Sequence, residues 1–269
     1  MIIKWGAKVT NMRHNGYIKI GLFACLLSAQ LALGCSKDGV VVQVPRVGPP
    51  PHIVSTPVDT PVRSNTAGGS TARTYLALGD SYTIGQSVAV TDRYPVREVA
   101  LLKQKGYSVD DPEIIATTGW TTGDLLNALQ TSPPSRATYS QVTLLIGVNN
   151  QFQGRSLSEY QTQFTQLLQD AIHWAADTAS HVIVLSIPDY GDSFYGQQTS
   201  DPAAISTAID SFNAANLQIS RQNGVQYVNI TDLTRQAKGD SSLFAPDGLH
   251  YSGKEMALWV ARLAPTWPY

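Results

Sequence analysis

Two cysteines occur in the 269 residues, and one of them, Cys25, lies inside the apolar stretch 20–33 near the amino terminus. An exported chain that loses this stretch keeps a single thiol, Cys35, and no internal disulfide can form. There is no cysteine pair, no His-x-x-x-His and no phosphate-binding glycine loop, so no metal and no organic cofactor is implied. Lys and Arg form no cluster in a chain of formal net charge −1, which argues against a nucleic-acid partner. The run 20–33 is too short, and too interrupted by Ser28 and Gln30, to cross a membrane. The Gly-x-Ser-x-Gly elbow is missing as well, because Gly79-Asp80-Ser81-Tyr82-Thr83 lacks the final glycine.

What the amino terminus does hold is an export signal. Lys4, Lys8, Arg13 and Lys19 precede the apolar run with no acid among them, and the run ends in Gly34-Cys35. Residues 1–34 therefore read as a signal peptide, with Met1 or Met12 as the start. The stretch Leu31-Ala32-Leu33-Gly34-Cys35 resembles the lipobox of bacterial lipoproteins, which implies a lipidated Cys35 and anchoring to an envelope membrane, with Ser36 suiting the outer membrane. Whether the domain would face the periplasm or the exterior stays open. Removal of the leader leaves 15 cations against 20 anions, and from residue 74 onward there are 11 against 18.

Residues 35–73 carry six prolines, a Gly68-Gly69 pair and many Ser and Thr with no helical period, and read as a tether that cannot bury a core. Residues 74–269 are long enough for one domain, expected to be monomeric. In it, apolar runs recur at 75–78, 113–116, 142–146, 182–187 and 225–230, separated by helix-like segments. Runs of this kind are strands covered on both faces. Helices are expected at 94–105, 122–129, 202–223 and 252–263. Another begins at the capping pair Ser156 and Glu159 and follows a stripe of Tyr160, Phe164, Leu167, Leu168 and Ala171. The pattern predicts an α/β protein: a three-layer α/β/α sandwich around a mostly parallel five-stranded sheet, with ligands at the carboxyl ends of its strands.

Ser81 falls just past the first strand, where a serine is either a helix cap or a nucleophile awaiting a base. Of the five histidines, His14 lies in the leader and His52 in the tether. His173 points away from the apolar stripe of its helix, and His181 abuts the start of a strand. His250 remains, with Asp247 three residues earlier and Gly248 permitting a tight loop between them. Asn149 follows the third strand and Gly119 the second, so both reach the edge that carries Ser81, where donors would meet a developing oxyanion. Each of these short stretches alone also reads as an ordinary turn.

Together, Gly79-Asp80-Ser81, Gly119, Gly147-Val148-Asn149 and Asp247-x-x-His250 resemble the Ser-Gly-Asn-His (SGNH) hydrolases, also called GDSL esterases and lipases, over the whole of residues 74–269. The resemblance implies a flavodoxin-like SGNH fold and ester hydrolysis through an acyl-serine. Carried onto this chain, it makes Ser81 the nucleophile and first oxyanion donor, Gly119 and Asn149 the other donors, His250 the general base and Asp247 its orienting partner. Tyr82 replaces the family's leucine, Asn150 stands where an aspartate is frequent, and the Asn-x-Gly ahead of the second-motif glycine is absent.

Trp120, Phe152, Tyr190 and Asp189 lie in segments expected to overhang the strand ends and are candidate substrate contacts. Without a long lid insertion, esters of small or medium acyl groups fit better than bulk triglyceride, as in a general esterase or lysophospholipase. A polysaccharide O-deacetylase is the alternative. A carbohydrate- or lipid-binding module that lost catalysis is a further one.

Overall fold

Five short aliphatic stretches become strands because each is flanked by polar turns and can be covered from both sides. The computed structural model describes residues 72–267. The leader, Cys35 and all but the last two residues of the expected tether lie outside the described residues. The strands are β1 (Tyr75–Gly79), β2 (Glu113–Ala116), β3 (Gln141–Leu145), β4 (Val182–Leu185) and β5 (Gln226–Val228). They form one sheet in the order β2-β1-β3-β4-β5, and every pairing is parallel. Arg73 bridges Val109 just ahead of β1.

Eight α-helices accompany the strands among the described residues: α1 (Ser81–Ile84), α2 (Tyr94–Gln104), α3 (Thr122–Thr131), α4 (Val148–Phe152), α5 (Leu157–Trp174), α6 (Pro202–Gln222), α7 (Thr231–Gln236) and α8 (Gly253–Leu263). Helix α2 packs on α8, while α3 and α6 both pack on α5. Side chains of β1 alternate accordingly. Tyr75 and Ala77 join Val99 and Leu102 of α2, and Leu76 and Leu78 enter the larger core with Tyr160 and Phe164 of α5. Ser156 Oγ accepts from the Glu159 N–H to start α5, as its sequence signal predicts, and Thr121 with Asp124 makes a full capping box for α3.

Because β2 and β3 lie on opposite sides of β1, the strand order reverses at β1. In open α/β sheets a crevice forms at such a point, outside the carboxyl ends of the strands. Ser81 follows β1 and Asn149 follows β3, so the topology alone brings both to it.

Among the buried polar residues, one bears on stability. Glu98 of α2 is fully buried and neither carboxylate oxygen has a hydrogen-bond partner among the described residues. Burial pushes its carboxyl up to about 8, against a smaller opposing pull from Lys105. The folded chain therefore holds a proton that the unfolded chain has released above pH ~4.3. This contribution to stability is complete below that value and lost as the pH rises toward 8. Glu98→Gln, which stays neutral, is expected to exceed the parent by about 1 kcal/mol or more at pH 8 and to match it more closely near pH 5. Urea unfolding at the two pH values measures the difference.

Candidate active site

The site starts from a crowded strand exit. A Cβ on Gly79 would lie 2.1 Å from Thr83 Oγ1 and 2.4 Å from the Leu145 carbonyl oxygen, so only glycine lets β1 leave the sheet this close to β3. Asp80 then caps α1, its Oδ1 accepting from the Tyr82 N–H at 3.0 Å. The carboxyl is buried, which pushes it up to about 7 against the backbone N–H groups of Tyr82 and Gly147. Ser81 opens α1 and is 5% exposed.

The exit of β3 is equally tight. Gly147 has φ +131°, and a Cβ there would lie 2.6 Å from the Tyr160 ring and 2.8 Å from Ile187. The chain turns into α4, where Asn149 Nδ2 donates one hydrogen to the Trp120 carbonyl at 3.0 Å. Its second N–H is left over. Asn150 is buried, its Oδ1 accepting from Thr122 N–H and its Nδ2 donating to Thr122 Oγ1, which ties the exit of β3 to the start of α3. An amide does this with one donor and one acceptor where a carboxylate offers only acceptors. The N–H of Gly119 has no acceptor among the described residues, nor does that of Ser81.

The imidazole is held by its own loop. Asp247 Oδ1 accepts from the backbone N–H groups of Leu249 and His250, both at 2.9 Å, and Oδ2 lies 2.8 Å from His250 Nδ1. A bridge between Phe244 and Tyr251 closes the loop at its base. Burial alone would raise the Asp247 carboxyl; the His250 ring, Ser87 and the His250 backbone N–H more than reverse this and hold it well below the usual carboxylate range. With Nδ1 facing the carboxylate, Nε2 is the free ring nitrogen.

His250 is 8% exposed, and its ring centroid lies 5.6 Å from that of Tyr82, the neighbour of Ser81. The residue four beyond Tyr82 on the same segment, Gln86, bonds to Thr118 of the loop carrying Gly119. The four motifs thus gather at one edge. Neither Ser81 Oγ nor His250 Nε2 has a hydrogen-bond partner among the described residues. Catalytic hydrogen bonds in substrate-free sites are commonly long and tighten when substrate binds.

The four substrate candidates divide. Phe152 stands open at 42% exposure. Trp120 is partly buried against the core and contributes its carbonyl to Asn149. Tyr190 is buried and packs edge-on beneath Phe152 at 5.9 Å. Asp189 is not a substrate contact: it is 0% exposed, and its carboxylate is consumed by Gly191 N–H and Arg235 Nε. Its carbonyl accepts from Tyr251 Oη, so it braces the segment after β4 against the residue following His250. Phe194, which with Tyr195 falls in the segment expected to overhang the strand ends, is 42% exposed, and its Cβ lies 3.3 Å from where a Cβ on Gly248 would stand.

A doubly wound parallel sheet with a serine at its reversal point and a carboxylate-held histidine beside it has the form of a serine-type hydrolase. The sequence profile of the GDSL-like Lipase/Acylhydrolase family matches residues 77–257. The chain belongs to that family and is a carboxylic ester hydrolase. No curated protein matches it. Among solved structures it is similar to TesA, with 18% identity and a TM-score of 0.58, covering 72% of this chain and 97% of that one. It is also similar to the esterase EstA from Pseudoalteromonas sp., at 19% identity and TM-score 0.53, covering 72% and 96% of the two chains. The acetylxylan esterase Axe2 from Geobacillus stearothermophilus has 16% identity and a TM-score of 0.54, with 73% and 94% covered. At these identities the likeness concerns the fold.

Proposed function

We propose that the chain hydrolyses esters of small or medium acyl groups through an acyl enzyme on Ser81. Ser81 Oγ attacks the ester carbonyl while its proton passes to Nε2 of His250. The tetrahedral oxyanion takes hydrogen bonds from the N–H groups of Ser81 and Gly119 and from the second N–H of Asn149. His250 then gives its proton to the leaving alkoxide oxygen as the C–O bond breaks. Water, deprotonated by the same imidazole, attacks the acyl-serine and releases the carboxylic acid with Ser81 restored. Asp247 keeps the imidazole in the tautomer that presents Nε2 and stabilises the cation it becomes.

The observation that carries this reading is the pairing of an oriented imidazole with three unspent donors around a serine at the sheet's reversal point. Asn149→Ala is expected to lower kcat by about 10² to 10³, as for other lost oxyanion donors, with KM little changed. Steady-state rates on p-nitrophenyl acetate decide it, and a kcat within threefold of the parent would remove Asn149 from the oxyanion hole.

For location, the proposal is a lipidated Cys35 that holds the domain at an envelope membrane, the outer one by its Ser36. Labelled palmitate should enter the chain expressed in a Gram-negative host and be absent from Cys35→Ser.

A further inference from the structure

We infer that Gln86 and Gln153 are positioning residues for ester hydrolysis: each ties the turn that carries the Gly119 N–H to the segment that carries another oxyanion donor. This rests on the serine-hydrolase reading above and concerns what holds its three donors at one spacing.

The turn has little of its own to hold it in place. Thr117, Thr118 and Gly119 are all exposed, and a Cβ on Gly119 would meet nothing within 4 Å. Gly119 has φ +87°, Thr118 stays out of the positive region, and the Trp120 N–H donates to the Thr117 carbonyl at 3.3 Å. This is a type II turn, with glycine where φ must be positive. The proposed donor belongs to its central peptide, between Thr118 and Gly119. The glycine therefore fixes which way the N–H points, and something else must fix where the turn stands.

Two glutamines do this, and in the same way. Gln86 donates its backbone N–H to the Ser81 carbonyl at 2.9 Å, and its Oε1 accepts from Thr118 Oγ1 at 2.6 Å. Gln153, which ends α4, donates its backbone N–H to the Asn149 carbonyl at 2.9 Å, and its Nε2 donates to the Gly119 carbonyl at 3.2 Å. Each glutamine is thus bonded through its backbone to one donor residue and through its side chain to the turn of the third. The central peptide is anchored on both sides, to the Ser81 segment through Thr118 and to α4 through Gly119. An oxyanion hole lowers the barrier when its donors already stand at the right distance as charge develops, so lost placement costs rate more than ground-state binding. Both side-chain bonds are exposed and join neutral groups, and such bonds add little to stability. The glutamines should therefore register in kcat and not in the thermal midpoint.

The test is steady-state kinetics of full-chain variants on p-nitrophenyl acetate. Gln153→Ala and Gln153→Glu both lack the donor and are expected to lower kcat about fivefold to tenfold, with KM within about twofold and the thermal midpoint within about 2 °C of the parent. Gln153→Lys keeps a donor of similar reach and should hold kcat within about twofold of the parent. At Gln86 the polarity is reversed: Gln86→Ala should lose about as much as Gln153→Ala, whereas Gln86→Glu keeps an acceptor for Thr118 and should lose about twofold or less. A parent kcat in Gln153→Ala overturns the inference, as does a loss in Gln153→Lys equal to that in Gln153→Ala. A double-mutant cycle adds a second check. Gly119→Ala, strained at φ +87°, should turn the donor away and lower kcat by about 10², after which Gln153→Ala should cost less than about twofold more. An undiminished further loss would mean that Gln153 acts elsewhere, and also overturns it. Ser81→Ala separates the two readings: turnover at the parent rate sinks the serine assignment, whereas an inert Ser81→Ala beside a Gln153→Ala of parent kcat sinks this inference alone.

Discussion

Ser81→Ala is expected to lose about 10⁵ to 10⁶ of kcat on p-nitrophenyl acetate, because every covalent step passes through the Oγ that it removes. The fold should not notice the change. Ser81 Oγ has no hydrogen-bond partner among the described residues, and alanine at the first position of α1 keeps the backbone and the Asp80 cap in place. The thermal midpoint should therefore stay within about 2 °C of the parent, a shift well below what a lost buried hydrogen bond produces. A rate loss accompanied by unfolding would point to a structural serine instead.

His250→Ala is expected to produce a kcat loss of similar size, about 10⁴ to 10⁶, since an isolated serine hydroxyl is a poor nucleophile at neutral pH. Here a modest fall in stability should accompany it. The ring packs against Tyr82, and its removal leaves the Asp247 Oδ2 facing a gap, although Oδ1 still caps the backbone of residues 249 and 250. Asp247 itself should not appear in the pH profile of the parent between pH ~4 and 9, because its surroundings hold it ionised far below that range. The sign of its linkage is opposite to that of Glu98: its contribution to stability is present above the unfolded carboxylate value and lost as the pH falls toward the lowered one. Rates measured on His250→Ala across pH 6 to 9, beside unfolding curves, separate the two effects.

The strands and the long helices were legible because their signals are local. Each of the five apolar runs overlaps its strand, with β1 running one residue past its run to Gly79 and β3 starting one before its run at Gln141, and the stripe of Tyr160, Phe164, Leu167 and Leu168 is the buried face of α5. The short helices α4 and α7 span six residues or fewer and carry too little periodicity to be read. The strand-end placement of the candidate site residues was legible where they sit next to glycine, as Ser81 and Asn149 do. Asp189 was misjudged because an acid in a loop ordinarily faces water, and nothing near it announces Arg235, 46 positions later. The same holds for the contacts that join Gln86 to Thr118 and Gly119 to Gln153 across distant segments. Glu98 did leave a trace, since it sits between Tyr94 and Leu102 at four-residue spacing on the buried face of α2.

The role of Asp80 follows from the same geometry. Its side chain is committed to the Tyr82 N–H and shielded from water, which suits a group that fixes the start of α1 and not one that meets substrate. Ser81, the proposed nucleophile, is thereby set on a turn whose shape depends on the bare Cα of Gly79.

The most direct measurement is covalent labelling of the full chain with a fluorophosphonate, followed by mass spectrometry of its peptides. A serine activated by His250 should take up one phosphonyl group per chain on the peptide that contains Ser81, and Ser81→Ala should take up none. An adduct on another residue that persists in Ser81→Ala, or no adduct while ester hydrolysis proceeds, would contradict the account.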